Sequence, residues 1–127
     1  GPAPMAAAPA PELRAVVARN FPVAWVSPAA LPALPQKVSS LLQRIGALEG
    51  APAVSQGPAG LEALAAFQSA DAARDAVQTL HGTDLRTAAE KRAAGFQAPK
   101  ESERFWLRIA AEAGVPVPAP APAAAAA

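Results

Sequence analysis

The sequence predicts an α+β domain set between Pro/Ala linkers, and three observations predict it. Residues 21–27 (FPVAWVS) form a short apolar run that closes on Pro28, as an extended segment does. Residues 36–46 and 69–82 place apolar side chains at helical spacing and each end in glycine. Residues 1–11 (GPAPMAAAPAP) and 115–127 (VPVPAPAPAAAAA) hold eight of the 15 prolines and no aromatic residue.

Proline fixes φ and removes a backbone donor, so alternating Pro and Ala favours extended linkers over a packed core. Both terminal segments are therefore expected to be disordered, with Gly1-Pro2 reading as the scar of a cleaved tag. The folded unit is expected over 12–114. Its first strand is placed at 21–27, and Pro28, Pro32 and Pro35 make an irregular turn. Val38, Leu41, Leu42 and Ile45 fall at i, i+3, i+4 and i+7 and predict a helix that Gly46 ends. Residues 48–54 read as a strand weakened by Pro52, and 57–60 (GPAG) as a turn. Residues 61–68 (LEALAAFQ), taken alone, have helical propensity. Ser69 is the expected N-cap and Asp71 the first-turn acid of a helix to Leu80. That helix buries Ala72, Ala73, Ala76, Val77 and Leu80, and His81-Gly82 stops it. A last helix is expected to begin near Glu101, with Phe105, Ile109 and Ala113 on one stripe and Trp106 and Ala110 beside it. Gly114 and Pro116 end it.

Composition narrows the function. The 127 residues suit one domain, and 37 alanines leave few larger apolar side chains for its core. The absence of cysteine excludes disulfides, thiolate zinc sites and thiol catalysis. One histidine, His81, excludes a two-histidine metal site. No phosphate loop, nucleophile elbow or metal-ligand spacing occurs, so no catalysis, metal or cofactor is expected. Asp71 and Asp75, at i and i+4, read as helix-start charges on a solvent face. No apolar run approaches the roughly 18–20 residues of a membrane span, and no membrane contact is expected. A net charge of +1 gives no general electrostatic affinity for nucleic acid.

Residues 60–85 (GLEALAAFQSADAARDAVQTLHGTDL) resemble the second half of an RNA recognition motif, or RRM. Phe67 stands where that family ends a strand in an aromatic residue, Ala72 and Ala76 are its helix alanines, and Leu80-His81-Gly82 is its Leu-Asn-Gly triplet. The resemblance makes 61–67 a strand, paired with the strand that contains Trp25. It implies a ferredoxin-like βαββαβ order, here with an added C-terminal helix. The third-strand motif of RNA-reading members carries aromatic rings on which bases stack. Laid on 60–67, those ring positions are Glu62 and Leu64, and only the core aromatic, Phe67, is kept.

Such a degenerate RRM is similar to the C-terminal extended RRMs of La-related proteins, which lay a third helix across the sheet. The strand exit Ser27-Pro28-Ala29-Ala30-Leu31-Pro32 and the acidic, then aromatic and basic, helix 101–109 (ESERFWLRI) carry that resemblance. The sub-family's aromatic-x-Asp signature falls at Ala53-Val54-Ser55, and its basic third-strand residue at Ala66. Neither is kept.

The resemblance implies a monomeric RNA-binding module in a nuclear ribonucleoprotein, helping a structured non-coding RNA such as a telomerase or small nuclear RNA to fold or assemble. Protein subunits of the same particle are expected partners. Arg86, Lys91, Arg92, Lys100, Arg104 and Arg108 make the C-terminal half basic. The candidate RNA contacts are Arg104 and Arg108, placed one helical turn apart, with Trp106, Lys100, Arg92 and Trp25. Phe105, Trp106 and Trp25 read first as rings that seat the tail helix, and His81 as a turn residue. The alternative is a degenerate RRM that binds protein, which Glu62 on the RNA face would suit.

Overall fold

A computed structural model describes residues 11–57, 60–115 and 117, with side chains from Leu13 onward. Of the expected linkers 1–11 and 115–127, residues 1–10, 116 and 118–127 lie outside the described residues, whereas Pro11 opens a helical turn and Val115 and Val117 pack against the sheet. Four strands, β1 (Ala15–Arg19), β2 (Ala53–Gly57), β3 (Gly60–Ala66) and β4 (Trp106–Ile109), form one antiparallel sheet in the order β2-β3-β1-β4. With two helices packed on one face, this is the expected α+β, βαββαβ architecture.

A single helical turn, α1 (Pro11–Arg14), leads directly into β1 (Ala15–Arg19). Ala15, Val16, Val17 and Ala18 are all buried. An apolar run without alternation is what a strand covered on both faces requires. The expected first strand at 21–27 is not formed. Asn20, at φ 61°, turns the chain out of β1, a conformation that asparagine tolerates better than most residues. Pro22, at φ −57°, then opens a one-turn helix, α2 (Val23–Val26), which holds Trp25.

A 3-10 turn at Leu31–Ala33 precedes α3 (Leu34–Gln43), which buries Leu34, Val38, Leu41 and Leu42 as the spacing predicts. Gly46 then passes close to the next long helix. A Cβ there would stand 2.8 Å from the Cβ of Ala72. The strand expected at 48–54 forms later, as β2 (Ala53–Gly57), leaving Leu48 as an isolated bridge to Phe67.

β3 (Gly60–Ala66) is a strand despite its helical propensity. Its partner is β1, from Ala15↔Ala66 to Ala18↔Ala63, rather than a strand containing Trp25. Propensity costs tenths of a kcal/mol per residue, and pairing on both edges outweighs it. Ala63, Ala65 and Phe67 point to the helices, while Glu62, Leu64 and Ala66 take the opposite face.

α4 (Ala70–Leu80) begins as expected, with the Ser69 hydroxyl accepting from Ala72 N at 3.1 Å. Ala73 and Ala76 are fully buried, and their small side chains let α4 lie close to the sheet. A further helix, α5 (Ala88–Ala93), opens on a capping box between Thr87 and Glu90 that the sequence reading passed over.

The helix expected from Glu101 to Ala113 is not formed. The chain makes a 3-10 turn at Glu101–Glu103, then β4 (Trp106–Ile109), then a single turn, α6 (Ala110–Ala113). Phe105 and Ile109, at i and i+4, satisfy a helical stripe and a strand alternation alike. Leu107 decides between them: it is 0% exposed, as an alternating strand requires. The added C-terminal helix is thus one turn, and the residues that carried its resemblance form an edge strand.

Two apolar clusters sandwich the sheet. The larger joins α3, α4, Phe67, Phe105, Leu107 and Ile109. The smaller, on the opposite face, holds Ala15, Val17 and Ala110, with Leu64, Ala66, Trp106, Val115 and Val117 against it. The C-terminal turn therefore covers one end of the sheet, a role expected of a longer helix.

Candidate functional site

The sheet face opposite α3 and α4 is built from alternate residues of four strands, and its register sorts them into rows. One row runs Ser55, Glu62, Arg19, Trp106 across β2, β3, β1 and β4. Arg19 follows Ala18, which pairs with Ala63, so its guanidinium meets the Glu62 carboxylate, with Nε donating to Oε2 at 2.9 Å. The same guanidinium lies 4.3 Å from the centre of the Trp106 ring. Carboxylate, guanidinium and indole thus form a continuous polar stack at one end of the sheet. The next row is Ala53, Leu64, Val17, Arg108, and the third begins with Ala66 and Ala15, where α6 and Val115 close over the surface.

Glu62 and Leu64 do occupy this face, so the usual ring positions of the third strand are a carboxylate and an aliphatic chain. The Glu62 charge is met by Arg19, a pairing hidden from the sequence because residues 21–27, and not 15–19, have the pattern expected of the first strand. Opposite charges in register on neighbouring strands are the signal, legible only once AVVAR is read as a strand. Gly57 belongs to the same arrangement. A Cβ there would meet the Glu62 carboxylate at 2.8 Å.

The expected contact residues are dispersed. Trp106, half-buried, and Arg108, exposed, share the sheet face. Arg104 is not one helical turn from Arg108. It lies four extended residues away, roughly 13 Å, and its Nη1 donates to Gly82 O at 3.1 Å. Arg92 lies on α5 and Lys100 just before the 3-10 turn, both exposed and both off the sheet. Trp25 is on the helix side, stacked on Phe21 with ring centres 6.4 Å apart. Arg86 is engaged elsewhere: its Nε and Nη2 grip both oxygens of Asp84 at 2.9 and 3.0 Å, and Nη2 also donates to Gln97 O. That hydrogen-bonded grip holds the Asp84 carboxyl down at about 2 and raises the Arg86 pKa in turn.

His81 ends α4, as a turn residue should, and does more. Its Nδ1 accepts from Leu107 N at 3.1 Å, tying the helix end to β4. Its ring also meets Trp106 edge-on, with centres 6.4 Å apart. Beside that edge a cavity of about 280 Å³ opens between Asn20, His81, Ser102, Arg104 and Trp106. Among the described residues no group of His, Asp or Glu side chains is placed to hold a metal ion, and no helix is long and apolar enough to cross a membrane.

No family model matches the chain, and no curated protein matches it. Among solved structures, the RRM3 domain of Mip6 is similar, with a TM-score of 0.51 at 13% identity. The match covers 79% of this chain and 96% of that one. That likeness shows the fold: the chain has the architecture of an RNA recognition motif.

Proposed function

We propose that the chain is an RNA-binding module that receives an unpaired base at the β1/β4 end of its sheet. The observation that carries this reading is Trp106 on the sheet face of an RRM fold, with Arg108 exposed two residues on along the same face. A base stacked on an aromatic ring gains about 1–3 kcal/mol, and a guanidinium plane serves as a second stacking surface. Arg19, already over the indole, supplies that plane, and Arg108 supplies a cation for phosphate.

Val17, Glu62 and Leu64 leave the rest of the platform without rings, so the surface suits one base and not a run. A bulge or loop in a structured RNA presents such a base; an unstructured strand presents many that the sheet has no means to hold. Assembly of a structured non-coding RNA into a ribonucleoprotein fits this preference. Neither segment behind the La-related resemblance keeps its place, since residues 27–32 follow α2 and not a strand and residues 101–109 supply no long helix, so the reading rests on the sheet.

The test is titration of the chain with a bulged hairpin and with a single strand at two salt concentrations. Trp106→Ala should weaken hairpin binding by roughly 5- to 150-fold, the equivalent of one stacked base. Arg108→Ala should flatten the log–log salt dependence by about 0.7–0.9. An unchanged affinity in Trp106→Ala removes the proposal. Absence of binding to either RNA favours a protein partner on this face, a reading that the Arg19–Glu62 pair supports by closing the centre of the sheet.

A further inference from the structure

We infer that the groove between α2 and α3, on the helix side of the domain, is a docking site for an acidic linear peptide with one apolar anchor. The groove encloses about 570 Å³ and is lined by Trp25, Leu41 and Leu85 together with Lys37, Ser40 and Arg44. That volume lies within the ~300–1,000 Å³ typical of ligand sites, which combine an apolar floor with a few placed polar groups. Lys37, Ser40, Leu41 and Arg44 stand at i, i+3, i+4 and i+7 and therefore share one stripe of α3 and its final turn. Leu41 is nearly buried and makes the floor, while the two cations stand at the ends. Val23 on α2 and Leu31 on the 3-10 turn are exposed as well.

Charge selects the occupant. α3 (LPQKVSSLLQ) contains no carboxylate, and among the described residues none forms an ion pair with Lys37 or Arg44. Glu90, the acid that reaches α2, accepts from Ala24 N and completes the Thr87 capping box. Seven helical residues separate the cations by roughly 10 Å along the axis. Four residues of extended chain span about 13 Å and bring positions n, n+2 and n+4 to one face, and the two long cationic side chains take up the difference. Carboxylates at positions n and n+4 of a bound peptide would therefore meet Lys37 and Arg44, with the apolar side chain of n+2 over Trp25 and Leu41.

The Trp25 ring stacks with Phe21 and its centre lies 6.0 Å from Lys37 Nζ, so the apolar floor and one cation stand side by side. An aliphatic or aromatic side chain needs only the ring edge and the leucine beside it.

The experiment uses capped twelve-residue peptides, each with one Leu, Phe or Trp midway between aspartates four positions apart, titrated into the ¹⁵N-labelled chain. Saturable amide shifts over 37–44 are expected, with amides of the sheet face unmoved. Lys37→Glu combined with Arg44→Glu should weaken binding at least tenfold and create affinity for the lysine-flanked counterpart. Both side chains are on the exposed face of α3, and circular dichroism verifies that the double variant folds. Absence of saturation by every peptide at millimolar concentration overturns the inference, as does unchanged affinity in the double variant. Tighter saturation of the same amides by oligouridine also overturns it, and assigns the groove to phosphate instead.

Discussion

Leu107→Ala discriminates most sharply between a strand and a helix at 105–109. On a helix carrying Phe105 and Ile109 inward, Leu107 would project from the far side, and its truncation would cost little. On β4 it is 0% exposed and packs within the larger cluster beside Phe105 and Ile109. Truncation removes three carbons from that cluster, about 2.4 kcal/mol at roughly 0.8 kcal/mol per buried methylene. The unfilled cavity raises this toward the ~2.7–5 kcal/mol seen for buried leucines. For a domain of this size, each kcal/mol lowers Tm by about 4–8 °C, so a fall of ~10–40 °C is expected. Urea and thermal melts followed by circular dichroism measure it, with Arg108→Ala as the control that should stay within about 0.5 kcal/mol. A Leu107→Ala protein as stable as its Arg108→Ala counterpart would refute the strand, and with it the placement of Trp106 on the sheet face.

Other perturbations test separate parts of the structure. Ser69→Ala removes the acceptor for Ala72 N and should cost ~0.5–2 kcal/mol, read from urea midpoints. Gly46→Ala should destabilise by about 1–3 kcal/mol because the new Cβ meets that of Ala72, even though the substitution stiffens the unfolded chain. The Asp84 carboxyl, held at about 2 by the hydrogen bond from Arg86, is depressed below its unfolded value, so its stabilisation is complete above about pH 4 and disappears as pH falls through about 2. Urea midpoints between pH 5 and pH 2 should therefore fall less steeply in Asp84→Asn than in the parent protein. Gly57→Ala should displace the Glu62 carboxylate from Arg19 and change Trp106 fluorescence, while melts show the fold retained.

The two long helices were legible because their signals are local. Ser69 caps, Ala73 and Ala76 repeat on one side, and Gly46 and Gly82 follow the ends; α3 and α4 form within a few residues of those marks. β3 was legible only through spacing, since LEALAAF taken alone favours a helix and its strand character comes from partners elsewhere in the chain. β1 was missed for a related reason. Residues 15–18 are apolar on both faces, so they show no alternation, while the apolar run at 21–27 has the composition of a strand and forms a helical turn instead. β4 was misread because positions i and i+4 serve two periodicities, and only the burial of Leu107 separates them. At the candidate site, Trp106 and Arg108 were expected on a helix, and a strand places them on one face instead. Arg19 was beyond reach, because its role depends on the register between β1 and two segments far along the chain.

The central position of β1 has a consequence for how the chain acquires its structure. Val16 pairs with Ala65 on one side and with Ile109 on the other, so the first strand finds its second partner some ninety residues later. Closing so long a loop must precede any gain from the pairing, which places the β1–β4 ladder among the slow steps of folding. On a ribosome, β1 can join the β2–β3 hairpin while the last strand is still unmade. The intermediate then presents Val16, Val17 and Ala18 along an open edge, with apolar side chains on both faces and no charge until Arg19. Such an edge is a template for pairing with other chains. Any fragment that stops before Phe105 retains that exposed edge permanently, so aggregation of C-terminally shortened forms follows from the topology itself.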